Sequence, residues 1–152
     1  QSPSYILLVL RAAILALVGS LEEERMACRR TVVICSISVD KDAREILSPL
    51  LSFADPLILT AFQDNPRALS PRALYGIASE AMGQAGHEGM AQLKVLPDPD
   101  AVMAWFTSAA DARDFALVTG STFLVSELRH PLQQWNQRQL PALGQAATLP
   151  SS

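Results

Sequence analysis

Short apolar runs alternate with amphipathic segments along most of the chain. Runs rich in β-branched residues, each bounded by turn residues, predict strands, while segments with apolar residues three and four positions apart predict helices between them. This alternation is typical of parallel βαβ units, and it predicts an α/β domain with a mostly parallel sheet flanked by helices in three layers. The predicted strands are residues 31–37, 56–62, 93–96 and 115–119.

Polar residues and prolines mark where the predicted helices begin. Asp40 is the predicted N-cap of the first helix, and Pro49 interrupts the helical period further along it. Ser70 and Asp98 each precede a proline, the usual combination of an N-cap with the first helical residue. The last helix is predicted to begin at Ser121.

The beginning of the chain departs from this alternation. Residues 5–21 are almost continuously apolar, with Arg11 in their middle. A bilayer-spanning helix needs roughly 20 apolar residues, and a central arginine costs about 2.5–3.5 kcal/mol there. We therefore interpret the segment as a buried helix and expect no membrane insertion.

The composition shifts again after His130-Pro131, where Gln, Pro, Ala and Ser dominate. We predict three parts: an apolar N-terminal helix in residues 1–30, βαβ units in residues 31–130, and a weakly ordered Gln/Pro-rich tail in residues 131–152. Residues 1–130 would form the α/β domain. Trp135 in the tail is expected to dock on the body of the protein or on a neighbouring molecule.

Composition excludes several functional classes. The chain is 49% hydrophobic and 18% charged, as in globular proteins, and its net charge of −3 with scattered arginines gives no basic patch, so we expect no nucleic-acid partner. Cys28 and Cys35 have no CxxC spacing, which favours a reduced, cytoplasmic setting. His87 and His130 lie far apart without evident co-ligands, so we predict neither a metal site nor a catalytic triad.

The loops that follow the predicted strands carry the candidate chemistry, because ligands of parallel sheets gather at the carboxyl ends of the strands. Lys41 precedes a helix, Arg67 follows Pro66 in a long loop, and Ser121 follows Gly120 at a helix N-terminus. Together they suit a carboxylate or phosphate ligand. Each also has an ordinary structural explanation, since Lys41 and Arg67 can form surface ion pairs and Ser121 can be a simple N-cap.

Three motifs occur in order along the chain. They are S-x-D-K-D at residues 38–42, N-P-R-A-L-x-P at residues 65–71 and V-T-G-S-x-x-L-V-S-E at residues 118–127. With these motifs, residues 31–130 resemble the C-terminal domain of the folylpolyglutamate synthase/dihydrofolate synthase branch of the Mur ligase family.

The resemblance implies a Rossmann-like module of an ATP-dependent glutamate ligase of folate and one-carbon metabolism. Such an enzyme joins glutamate to a folate carboxylate through an acyl phosphate, while its central domain holds ATP and magnesium. The resemblance implies that Lys41 and Ser121 contact the amino acid. Arg67 is similar to the arginine in the diaminopimelate-binding motif of a Mur ligase, a resemblance that implies a carboxylate-binding role. The resemblance designates no residue of this chain as catalytic.

Two departures from the family limit what we expect of this chain. It contains no G-x-x-x-x-G-K-[ST], the phosphate-binding loop, and no D-G-A-H-N-P stretch, of which only Pro3 has a match. We therefore expect a fragment or the product of a truncated gene, which binds neither ATP nor magnesium alone, is inactive alone, and has the ATP-binding central domain as its missing partner. Two alternatives stay open: a domain of a peptidoglycan Mur ligase, or a standalone binding module that dimerises through its apolar N-terminal helix.

Overall fold

A single parallel sheet organises the computed structural model, which describes residues 5–8, 26–85 and 92–143, with side chains for residues 26–84 and 92–138. The described strands are β1 (Tyr5–Leu8), β2 (Arg30–Cys35), β3 (Leu57–Leu59), β4 (Leu93–Val95) and β5 (Asp114–Thr119). Their order in the sheet is β1-β5-β2-β3-β4, and every neighbouring pair is parallel. The carboxyl ends of these strands therefore lie along one edge.

Four described helices connect or follow the strands: α1 (Ala43–Leu50), α2 (Pro71–Ala85), α3 (Pro99–Ala109) and α4 (Thr122–Leu143). The chain thus runs from β2 through α1 to β3, through α2 to β4, through α3 to β5 and then into α4. This is the predicted βαβ alternation, and the predicted α/β fold with a parallel sheet is confirmed.

The helices cover the sheet from both sides. Helices α1 and α2 pack on one face, in a core that includes Val33, Cys35, Ile46, Leu47, Leu50, Leu57, Leu59, Leu74, Ala78 and Leu117. Helices α3 and α4 pack on the other, in a core that includes Val32, Ile34, Ile58, Val102, Phe106, Ala116, Val118, Leu124, Leu128, Leu132 and Trp135. Strand residues of the two cores alternate in sequence, as they must in a sheet buried on both faces.

Local side-chain hydrogen bonds fix the helix starts. The carboxylate of Asp98 accepts a hydrogen bond from the amide of Ala101 at 2.9 Å, and Pro99 is the first residue of α3, as predicted. For α1, the prediction of Asp40 as N-cap was wrong. Asp42 is the N-cap, since its side chain accepts from the amide of Glu45 at 3.1 Å.

The beginning of the chain corrects the prediction of an N-terminal helix in residues 1–30. Tyr5–Leu8 form strand β1, which adds to the free edge of β5, with Tyr5 opposite Phe115. A short, continuously apolar run has no periodicity that separates a strand from a helix. Residues 9–25, which hold the rest of the predicted helix, lie outside the described part, so the dimer predicted to form through it stays a prediction.

The end of the chain corrects the prediction of a weakly ordered tail in residues 131–152. Helix α4 continues through Pro131 to Leu143, and Trp135 is only 2% exposed. The spacing of Leu128, Leu132 and Trp135 by four and three residues keeps one face of the helix on the core, and this burial outweighs the proline. Residues 144–152 lie outside the described part. None of the described helices has the length and apolar character that crossing a membrane requires.

Candidate functional site

The three candidate residues lie in loops at the carboxyl edge of the sheet. Lys41 follows β2, Arg67 follows β3, and Ser121 lies between β5 and α4. Because β5, β2 and β3 are consecutive parallel neighbours in the sheet, these three loops are adjacent to one another. We call this region, residues 36–42, 60–70 and 119–122, the carboxyl rim.

Backbone pairing joins the first two of these loops. The amide of Val39 donates to the carbonyl oxygen of Arg67 at 2.7 Å, and the amide of Leu69 donates to that of Ile37 at 2.8 Å. The Arg67 guanidinium also forms an ion pair with Asp40, with Nη2 and Oδ2 3.3 Å apart. Arg67 therefore lies directly beside the loop that carries Lys41, whose own side chain is exposed.

Ser121 is fixed at the rim by a close approach between two backbone segments. Its side chain is buried, and Oγ accepts a hydrogen bond from the amide of Phe123 at 3.1 Å, as an N-cap side chain does. The preceding Gly120 has φ of 100°, and a Cβ atom on it would lie 2.2 Å from the carbonyl oxygen of Ser36. Glycine at this position lets the start of α4 pack against the end of β2.

Three buried hydroxyl groups lie at the same rim. Ser36, Thr60 and Thr119 follow or end strands β2, β3 and β5, each is 0% exposed, and none of their side-chain oxygens has a hydrogen-bond partner within the described residues. Buried polar atoms are nearly always paired in folded proteins, so three unpaired hydroxyls side by side are unusual. The sequence motifs did not indicate Ser36 and Thr60 as site residues. The sequence feature that could have indicated them is that each is a hydroxyl residue at the end of an apolar run.

Glu127 contacts the carboxyl rim, although the sequence did not indicate it as a site residue. It lies on α4, and its carboxylate accepts hydrogen bonds from the amide of Gln63 at 2.9 and 3.0 Å and from the amide of Asp64 at 2.7 Å. The residue belongs to the third motif, V-T-G-S-x-x-L-V-S-E, but nothing in the sequence indicates the loop about 63 residues earlier as its partner.

A group of ion pairs among the described residues lies at the opposite, amino edge of the sheet. Asp114, whose side chain is 1% exposed, binds Arg29 at 2.9 Å and Arg30 at 3.2 Å. Next to it, a hydrogen bond from the Arg113 side chain holds the pKa of Asp111 at about 2, below its ordinary value of 3.8. These residues lie at or near the starts of β2 and β5, so they stabilise the fold away from the carboxyl rim.

The described residues offer no site for a metal ion, since nowhere among them do three His, Cys, Asp or Glu side chains come together. Cys35 lies near the rim but is fully buried, and this burial raises the pKa of its thiol to about 12. A thiol in that environment is a poor nucleophile. The chemistry available at the rim is accordingly the binding of anions by cationic side chains and a helix N-terminus.

Comparison with known proteins gives matches in structure. No protein-family model and no curated protein sequence matches this chain. Mycobacterium tuberculosis folylpolyglutamate synthase complexed with ADP matches 85% of the chain with a TM-score of 0.58 and 25% sequence identity. E. coli FolC in complex with DHPP and ADP matches 87% of it with a TM-score of 0.61 and 18% identity.

The predicted resemblance to folylpolyglutamate synthases is confirmed in the fold. The chain spans only 28% of the length of each of these two proteins, the share of one domain. A murein peptide ligase, Mpl from Psychrobacter arcticus, also matches, over 93% of this chain and 28% of its own, with a TM-score of 0.52 and 15% identity. The fold is therefore one that folylpolyglutamate synthases share with a ligase of murein peptides.

Proposed function

We propose that this chain is the amino-acid-binding domain of an ATP-dependent ligase that joins glutamate to a folate carboxylate. The observation that carries the proposal is the meeting of the three motif loops at one rim, in a fold that folylpolyglutamate synthases share. A rim with two cationic side chains and a helix N-terminus suits a small dicarboxylic acid. The setting in folate and one-carbon metabolism of the cytoplasm is part of the same proposal.

Each rim residue has a separate task in this proposal. Arg67 binds one carboxylate of glutamate through two parallel N–H···O bonds, a geometry that a guanidinium matches and an ammonium does not. Ser121 and the amides at the start of α4 bind the other carboxylate, helped by the positive end of the helix dipole. Lys41 adds a mobile positive charge beside Arg67. Held in this way, the amine of glutamate is oriented for attack on an activated carboxylate.

The nucleotide and metal chemistry is assigned to other parts of such an enzyme. The chain has no phosphate-binding loop of the G-x-x-x-x-G-K-[ST] type, and its described residues do not form the oxygen-rich cluster that magnesium requires. We propose that the chain alone forms no ADP with folate and glutamate, and that its functional partner is an ATP-binding domain.

Titration with L-glutamate, followed by NMR of the ¹⁵N-labelled chain, tests the proposal. We expect the amide signals of the carboxyl rim to shift, and Arg67→Ala, Ser121→Ala and Lys41→Ala each to weaken the response. Arg138→Ala removes an exposed arginine from the distant half of α4 and is the matched control. Glutamate-induced shifts spread evenly over the surface, or unchanged in all three rim variants, would contradict the assignment.

A second candidate, a domain of a peptidoglycan Mur ligase, is favoured by the match to the murein peptide ligase and by the motif around Arg67. Diaminopimelate distinguishes the two candidates. Like glutamate it has an α-amino-acid group, but its side chain is longer and ends in a second amino group and a second carboxylate. Rim shifts that saturate with diaminopimelate at a lower concentration than with glutamate would favour the Mur ligase assignment.

A further inference from the structure

Glu127 joins helix α4 to the loop that carries Arg67. Both of its carboxylate oxygens accept hydrogen bonds from the backbone of that loop, at the amides of Gln63 and Asp64. A hydrophobic contact supports the same junction, since the rings of Phe62 and Phe123 stack with centroids 5.1 Å apart. The first part of the loop is thus fixed to the first turns of α4.

Little freedom remains between this junction and Arg67. Only Asn65 and Pro66 separate Asp64 from Arg67, and the Asn65 side chain accepts a hydrogen bond from the Arg67 amide at 2.9 Å. Proline fixes its own φ, and an Asx turn fixes the residues that follow it. We therefore expect a shift of the Asp64 amide to move the backbone of Arg67.

The far side of Arg67 is held by a different element. Its carbonyl oxygen accepts from the amide of Val39, which belongs to the loop after β2. Arg67 consequently lies between two anchors, one on that loop and one on α4. Ser121 precedes α4 and lies less than two helical turns before Glu127, so the second anchor relates the position of Arg67 to that of Ser121.

We propose that Glu127 is a positioning residue, which sets the separation between the backbone that carries the Arg67 side chain and the helix N-terminus at Ser121. A carboxylate suits this task because it has two equivalent acceptor oxygens, whereas a glutamine side chain has one. The consequence for ligand binding rests on the proposed function: the fixed separation selects a dicarboxylic acid of the length of glutamate. The positional statement itself stands on the contacts of the loop alone.

Three variants of the complete chain test this inference. Glu127→Gln keeps the size of the side chain and removes its charge, and Glu127→Asp keeps the charge and shortens the reach. Glu80→Gln, in an exposed ion pair with Arg44 on the other face of the protein, makes the same chemical change away from the rim. Amide hydrogen exchange and the ¹H–¹⁵N signals of Gln63, Asp64 and the Arg67 side chain are the first measurements.

In Glu127→Gln we expect the amides of Gln63 and Asp64 to exchange about tenfold faster, because they lose hydrogen bonds to a charged acceptor. The Arg67 side-chain signal should shift as well, and Glu127→Asp should restore it in part. Glu80→Gln should change none of these signals. If the Arg67 signal stays in place while only the two amides change, Glu127 stabilises the loop without positioning Arg67, and the inference is overturned.

A second measurement is the preference for L-glutamate over L-aspartate, which is one methylene shorter, determined by titration with each acid. If Glu127 only stabilised the loop, its substitution would not change this preference. We expect Glu127→Gln to reduce the preference for glutamate over aspartate at least about threefold, and Glu80→Gln to keep it, since one methylene in a fitted site is worth about a factor of ten or more. An unchanged preference in a Glu127→Gln variant with shifted Arg67 signals overturns the selection of ligand length. If neither acid shifts the rim of the unsubstituted chain, the proposed function fails, while the Arg67 signal still decides the positional statement.

Discussion

Gly120 approaches the carbonyl oxygen of Ser36 so closely that a Cβ atom on Gly120 would lie 2.2 Å from it. The same Cβ would be 2.9 Å from the sulfur of Cys35. The contact joins the end of β5 to the end of β2 at the point where α4 begins. The position of the α4 N-terminus relative to the loop after β2 therefore depends on a residue without a side chain.

Gly120→Ala should accordingly destabilise the protein. The backbone there has φ of 100°, which costs a residue with a Cβ about 1–3 kcal/mol, and the clash with backbone atoms adds to this cost. We expect the free energy of unfolding in urea to fall by about 3 kcal/mol or more. Gly76→Ala is the matched control, since Gly76 lies in α2 and a Cβ atom added to it would meet nothing within 4 Å, and it should raise stability by about 0.5–1 kcal/mol. Equal effects of the two substitutions would contradict this account.

Asp40→Asn should affect ligand binding more than stability. The ion pair between Asp40 and Arg67 has side chains 47% and 57% exposed, and such pairs contribute only about 0–1 kcal/mol. In the proposed function, however, the Asp40 carboxylate competes with the ligand carboxylate for the same guanidinium. We expect an unchanged urea midpoint and roughly two- to threefold tighter binding of L-glutamate, which corresponds to the loss of a weak surface pair. Weaker binding would mean that Asp40 orients Arg67 and does not compete for it.

Much of this arrangement was predictable from the sequence, for identifiable reasons. The loops of Lys41, Arg67 and Ser121 follow strands whose apolar runs are clear, and parallel strands bring such loops to one edge of the sheet. The capping pair Asp98-Pro99 has a local mechanism, so it was predicted at its observed position. Where a local interaction determines the structure, the local sequence pattern was sufficient to predict it.

The failures concern residues whose structure depends on distant parts of the chain. Tyr5–Leu8 form a strand because β5 offers a free edge, which no pattern within this short segment reveals. Pro131 indicated a helix end, but the burial of Leu132 and Trp135 in the core continues the helix. Glu127 binds amides 63 and 64 residues away, and only the folded structure brings them together.

Asp111 should make the stability depend on pH in the acid range. Because the pKa of Asp111 is lowered from 3.8 to about 2 in the folded protein, its ionised form is stabilised by folding. This contribution is fully present above about pH 4 and is lost as the pH falls through about 2. Its side chain is 40% exposed and screened by solvent, so we expect Asp111→Asn to lower the free energy of unfolding by only about 0.5–1 kcal/mol near neutral pH. The difference in free energy of unfolding between Asp111→Asn and the unsubstituted protein should vanish below the folded-state pKa of Asp111.

A double-mutant cycle tests whether the stabilising effect of Asp111 arises from its contact with Arg113. Asp111 accepts from the Arg113 side chain at 2.6 Å, so Arg113→Ala should remove most of the effect of Asp111→Asn near neutral pH. Additive effects of the two substitutions would show that the acidity of Asp111 arises elsewhere.

The two cysteines should differ in their reactivity. Cys35 is 0% exposed with its pKa raised to about 12, whereas Cys28 is half-buried and its pKa is raised by burial and by the nearby Asp114. At about pH 8 the thiolate fraction of Cys35 is on the order of 10⁻⁴. Iodoacetamide should therefore modify only Cys28 in the folded protein and both thiols in urea, as mass spectrometry would detect. In folded Cys28→Ser, modification of Cys35 as fast as that of Cys28 in the unsubstituted protein would contradict the burial of Cys35.

Trp135 should be essential for stability, although it lies beyond the last motif. It is 2% exposed, and its ring meets that of Phe106 edge to face with centroids 5.3 Å apart. Trp135→Ala removes a large buried aromatic side chain and should cost about 3–5 kcal/mol, while Trp135→Phe keeps an aromatic contact with Phe106 and should cost less. Gln134→Ala, one position earlier on the exposed side of α4, should stay within about 0.5 kcal/mol of the unsubstituted protein. Urea unfolding of the three variants measures these differences in the free energy of unfolding. A Trp135→Ala protein as stable as Gln134→Ala would mean that residues 131–143 contribute nothing to the core, as a weakly ordered tail would.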